Sequence, residues 1–201
     1  MNKMNFETPP TKSSDQIEAQ SFRELFDRTQ MDEKGKITTI RYELPYPKED
    51  FLKFLVTEKN VLLHGSSSKE IEILEPRQAN DRAKISGNKK AVYAVTDPVF
   101  PIFYAIQDRN KIHGLIESGV DHNPATGELR YEFKMPQSVL ASEPWTRGII
   151  YIFDRSQFNP EKNDVGEPSG EWTSEKAVNP IAKLEVGPED FRFLDKVKGV
   201  E

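Results

Sequence analysis

Apolar positions along this chain change their spacing several times, and each change marks an element. Over residues 21–30, Phe22, Leu25 and Phe26 fall on one helical face, which predicts a short amphipathic helix. Residues 36–44, KITTIRYEL, alternate roughly and are rich in β-branched side chains, the pattern of a strand. Residues 47–60 place Phe51, Phe54 and Leu55 at helical spacing behind acidic residues, so a helix should lead into the strand VLLH at 61–64. The later strand-like runs are short: 70–74, 91–95, 128–133, 148–153 and 181–186. Helical signal after the first third gathers at 101–118, and 158–172, with two prolines and two glycines, reads as turn-rich.

Strands with scattered helices and no regular βαβ alternation indicate an α+β fold. At 201 residues the chain can bury one sizeable core. A single domain over 21–201 is therefore expected. Residues 1–20 are polar, contain a proline pair and show no sustained period, so they read as a flexible N-terminal tail.

Charge and composition narrow the classes. The net charge of -5 arises from 28 basic and 33 acidic residues mixed along the chain, which disfavours a nucleic-acid partner. The most basic stretch, 81–90, reads as a solvated loop. No apolar run approaches the roughly 18 residues of a membrane span, so no membrane partner and a cytoplasmic location are expected. The absence of cysteine removes disulfides, thiolate catalysis and Cys-type zinc sites. Dinucleotide-fold, P-loop and nucleophile-elbow motifs are all missing. His64, His113 and His122 have no zinc-type spacing, and no metal is expected.

One stretch resists a purely structural reading. VLLHGSSSKE, residues 61–70, ends an apolar run in a histidine, a glycine and three serines. A solvent turn would explain it, and so would a binding site at a strand end. Further on, Tyr93 lies in an apolar strand, TDP at 96–98 marks a turn, and Tyr104 falls in a helix that Asp97 can cap. A strand–turn–helix can bring two tyrosines eleven positions apart face to face, forming a slot for a flat, cationic ring. Half-buried aromatics are the plainer alternative.

These residues resemble the catalytic domain of the ADP-ribosyltransferases of the poly(ADP-ribose) polymerase and diphtheria-toxin branch, marked by a His-Tyr-Glu triad. The likeness rests on His64-Gly65-Ser66, on Tyr93 and Tyr104, and on Glu171 in GEWTSEKAVNPIAKLEV. It implies two mostly antiparallel sheets around a cleft for NAD, taken as a cosubstrate. It also implies roles: His64 bonds the adenosine ribose, Gly65 and Ser66 hold the nicotinamide carboxamide, and Tyr93 and Tyr104 sandwich the ring. Glu171 would stabilise the oxocarbenium-like ribose as nicotinamide leaves. With His64, Tyr93 and Glu171 as the catalytic set, the implied activity is mono-ADP-ribosyl transfer to an acceptor, a protein rather than a nucleic acid.

Other readings are a catalytically inactive module of the same fold that binds NAD or ADP-ribose, and an enzyme resembling RNA 2'-phosphotransferases. Glu167 and Glu175 are rivals to Glu171 within the same stretch. The chain departs from the family pattern in GNKKAVY, with one glycine well before Tyr93, and in Ser169, where arginine-directed relatives carry a second acidic residue. Residues 107–170 align with no family element. Trp145 and Arg147 are candidates there for target contacts.

Overall fold

The computed structural model describes residues 13–32, 37–78, 89–163 and 165–201. Helix α1, Ser14–Asp32, buries Phe22, Leu25 and Phe26 as their spacing requires. It begins inside the stretch read as a tail. The reason is a reciprocal cap: the Gln16 N–H donates to Ser13 Oγ (3.3 Å), and the Ser13 N–H donates to Gln16 Oε1 (3.0 Å). Such a capping box satisfies two helix-end donors before any apolar periodicity begins. Residues 1–12 lie outside the described residues.

Strand β1 is confined to Thr38–Ile40, shorter than the alternation over 36–44 suggested. Beyond it Tyr42 and Leu44 pack on the core from irregular backbone. Helix α2, Lys48–Glu58, buries Phe51, Leu52 and Leu55 and delivers the chain into β2, Val61–Ser66. Residues 70–74 form no strand; only Leu74 bridges, to Val178. The Ile71 N–H donates to the Tyr151 hydroxyl at 3.0 Å rather than to a neighbouring strand. Next come β3, Arg77–Gln78, β4, Lys90–Val95, and α3, Val99–Ala105. Most of the basic stretch 81–90 lies outside the described residues.

Helix α3 ends far short of residue 118. The chain turns away as Gln107 bridges to Trp145, and Gly114 takes φ +78°. Strands β5, Glu117–His122, and β6, Leu129–Pro136, then form a ribbon, followed by α4, Gln137–Ala141, and β7, Gly148–Asp154. The turn-rich stretch 158–172 is mostly hairpin: β8, Asn159–Lys162, pairs with β9, Pro168–Ser174. Pro160 is accommodated because β8 is an edge strand, with a break in register between Pro160 and Lys162, and Pro168 because it is the first residue of β9. Strands β10, Ala182–Val186, and β11, Lys198–Val200, complete the chain.

The fold is α+β with two sheets. The larger runs β1-β10-β7-β2-β4-β9-β8, with β3 beside β4, and the smaller runs β11-β6-β5. Only the pairs β1–β10 and β11–β6 are parallel among the described residues. Alternation along the central strands fills two cores. On one face Val61, Leu63, Ile150 and Ile152 meet α1, α2, α3 and the smaller sheet. On the other, Leu62, Val92, Ala94, Tyr151 and Phe153 form a second cluster with Phe158 and Val178. No helix among the described residues is long and apolar enough to cross a membrane.

Candidate ligand cleft

The cleft originates in a ladder that stops. Strand β2 pairs with β7 along its whole length, Val61↔Asp154 to Ser66↔Ile149, but meets β4 only at Leu63↔Val95. Continued in register, the ladder would set Gly65 opposite Tyr93. The strands part there, and β3 takes the open side of β4 at Ala91 and Lys90. The gap is a cleft of about 290 Å³ whose wall includes His64, Ser66, Ile71, Arg77, Tyr93 and Arg109.

His64 spans the parting. Its Nδ1 lies 2.8 Å from the Tyr93 carbonyl oxygen. A carbonyl only accepts, so Nδ1 carries the proton. Burial holds the imidazole pKa below its ordinary value; the Tyr93 bond opposes this, and the nearby Arg109 and Arg77 charges reinforce it. The ring is therefore neutral at pH 7, with Nε2 as a hydrogen-bond acceptor. A ligand donor such as a sugar hydroxyl suits it. The exposed Arg77 and Arg109 on the same wall supply positive charge for an anionic ligand group.

The serines that follow are largely turn chemistry. Ser66 Oγ accepts the Ser68 N–H at 3.2 Å. Fully buried Tyr151 sits beside His64 in the β2–β7 register, and its hydroxyl donates to the Ser68 carbonyl at 2.9 Å while accepting from Ile71. One tyrosine thus fixes the loop that sets Ile71 in the cleft wall.

Gly65 is required for a different reason from the one its sequence context suggests. A Cβ there would lie 1.9 Å from the Pro101 carbonyl oxygen, so the missing side chain admits α3 rather than a ligand. Gly148 behaves alike, with the Ala105 carbonyl oxygen at 1.9 Å. Together the two glycines seat both ends of α3 on the sheet. Asp97 precedes the N-cap residue Pro98, and its side chain accepts the Val99 N–H at 3.0 Å.

Tyr93 and Glu171 belong to neighbouring strands, for Tyr93 pairs with Thr173 and Val95 with Glu171. The Tyr93 hydroxyl donates to the Lys89 carbonyl at 3.2 Å. Burial raises its pKa, the Lys89 bond opposes this, and the charges of Glu161 and Glu171 add to the rise. Glu171 is half-buried inside β9, and its N–H donates to Ser169 Oγ at 3.2 Å. Tyr104 lies on α3 with its hydroxyl 2.9 Å from Ser118 Oγ. His64, Ser66 and Tyr93 share the cleft wall; Tyr104 and Glu171 are not part of it.

The remaining candidates have plain structural roles. Glu167 closes the β8–β9 turn through its N–H to Asn163 Oδ1, and Glu175 is exposed. Trp145 packs on the core, and Arg147 is held by Glu185 and Glu189. His113 is engaged by Lys111 and Ser138, and no group of metal ligands forms among the described residues. Sequence reasoning missed Arg77, Arg109, Tyr151 and Glu161. Arg109 in particular reaches the cleft only because the chain reverses after α3, a turn that no local motif announces.

No family model matches the chain, and no curated protein or solved structure matches it significantly.

Proposed function

We propose that this protein is an NAD-dependent mono-ADP-ribosyltransferase of the His-Tyr-Glu type, cleaving the bond between nicotinamide and ribose and passing ADP-ribose to a protein acceptor. The observation that carries the reading is the bond between His64 and Tyr93 across the parted strands, which presents a neutral imidazole acceptor in a cleft. In this reading Nε2 of His64 accepts a ribose hydroxyl, and Arg77 and Arg109 neutralise the diphosphate. Tyr93 stacks on the pyridinium ring, an interaction of about 0.5 to 2 kcal/mol when desolvated. Glu171, two residue pairs from Tyr93 along the β4–β9 ladder, stabilises the positive charge developing on the ribose as the C–N bond breaks.

The position of Glu171 off the cleft wall favours a second reading, an inactive module of the same architecture that binds NAD or ADP-ribose. Nicotinamide release from NAD+ by the purified protein, beside calorimetric binding on the same samples, separates the two. Release abolished in Glu171→Ala with binding retained supports the enzyme. Binding without release, in the presence of acceptor protein extract, supports the module. Neither binding nor release rejects both.

A further inference from the structure

Glu161 is the most enclosed carboxylate among the described residues, 9% exposed, at the irregularity between Pro160 and Lys162 of β8. Both its oxygens take hydrogen bonds from Lys89 Nζ, at 2.7 and 2.8 Å, and Oε1 also accepts from buried Thr173 Oγ1 at 2.5 Å. Burial works to raise its pKa, but the Lys89 and Thr173 bonds outweigh this and hold it below the ordinary carboxylate range. It is an ionised group at pH 7, held by three hydrogen bonds from two side chains.

The partners of those partners lead to the candidate site. The Lys89 carbonyl accepts the Tyr93 hydroxyl. Thr173 faces Tyr93 across the β4–β9 ladder. The Glu161 carbonyl accepts from Ser169 Oγ at 3.0 Å, and that same oxygen accepts the Glu171 N–H. These routes from Glu161 end on Tyr93 and Glu171.

We infer that Glu161 is a positioning residue, its carboxylate setting the Tyr93 ring through Lys89 and the Glu171 strand through Thr173, so that the two hold a fixed separation. It does not touch the reacting atoms. The inference deepens the transferase reading and rests on it for its catalytic consequence, but the geometry itself is independent of any ligand. A bidentate ion pair anchored by a threonine resists rotation better than a single contact. The register break in β8 is what allows a side chain of that edge strand to turn inward.

The test combines a ligand-free readout with a kinetic one. With 3-fluorotyrosine at position 93 alone, the fluorine resonance of the full chain is compared among wild type, Glu161→Gln, Lys89→Met and Lys89→Arg. The two disruptive variants should shift or broaden it, and Lys89→Arg, which keeps the ion pair, should not. In nicotinamide release, Glu161→Gln and Lys89→Met should each lower kcat about tenfold and raise the Kd for NAD+ only about threefold, with Lys89→Arg near wild type. Assays run well below each variant's Tm keep lost stability from imitating this pattern. A wild type without binding or release refutes the transferase reading alone, and the fluorine spectra then decide the positioning. An unmoved resonance in Glu161→Gln and Lys89→Met overturns the inference, as does unchanged kcat in an active enzyme.

Discussion

Nδ1 of His64 donates to the carbonyl oxygen of Tyr93 across the point where β2 and β4 cease to pair. The bond fixes the tautomer, and burial fixes the charge. Because the folded-state pKa lies below the ordinary 6.5, the folded protein takes up the imidazole proton less readily than the unfolded chain. The contribution to stability is thus complete above pH 6.5 and is lost as the pH falls through the folded value. Protonation also removes the Nε2 acceptor. Affinity for NAD+, measured calorimetrically from pH 7.5 downward, should decline below 6.5 in the wild type and show no such step in His64→Ala.

Arg77 and Arg109 are exposed at the cleft wall and act by charge. Arg77→Ala and Arg109→Ala should each weaken binding of NAD+ about three- to tenfold at low salt. The difference from wild type should shrink toward 0.5 M salt, as screening of exposed charges requires. An equal loss at all salt concentrations would exclude the electrostatic role.

Gly65 and Gly148 make a paired prediction about packing. An added Cβ at either position meets a backbone carbonyl of α3, which no side-chain rotation can relieve. Gly65→Ala and Gly148→Ala should both destabilise by about 1 to 3 kcal/mol or more in urea titrations. Equality between them would assign the cost to helix seating, which the two positions share. Tolerance of Gly65→Ala would contradict the close approach.

Tyr151→Phe preserves the buried ring and deletes only the hydroxyl. Two backbone groups, the Ser68 carbonyl and the Ile71 N–H, lose their partner. A destabilisation of about 1 to 3 kcal/mol is expected, with faster amide exchange at Ile71 than in the wild type. Unaltered exchange at that amide would show that the hydroxyl does not hold the loop.

What the sequence made legible was decided by range. Phe22, Leu25 and Phe26, or the run at 148–153, carry their placement in their own spacing, and the structure buries them accordingly. Residues 70–74 alternate yet form no strand, because alternation alone does not reveal that Tyr151, 80 positions away from Ile71, takes the backbone N–H. The helix over 101–118 failed for a related reason: apolar content continues past Ala105, but the Gln107 bridge to Trp145 ends it. At the candidate site, His64 stands out as a strand-end histidine and Tyr93 by its spacing to Tyr104, and the structure sets both on the cleft wall. Glu161 had no such sign, since Lys89 beside β4 and Thr173 and Ser169 of β9 give it its surroundings.

The parallel pairing of β1 with β10 has a consequence for biosynthesis. Thr38 finds its partner only at Ala182, and β6 waits for β11 at residues 198–200. Helix α2 likewise depends on Asp190 and Arg192 for the ion pairs of Lys48 and Glu49. A nascent chain halted before residue 180 therefore holds an open edge where β10 belongs on β7, with Lys48 and Glu49 of α2 lacking their ion-pair partners. Such a chain is a natural client for chaperones, and slow closure of distant contacts is its expected rate-limiting event.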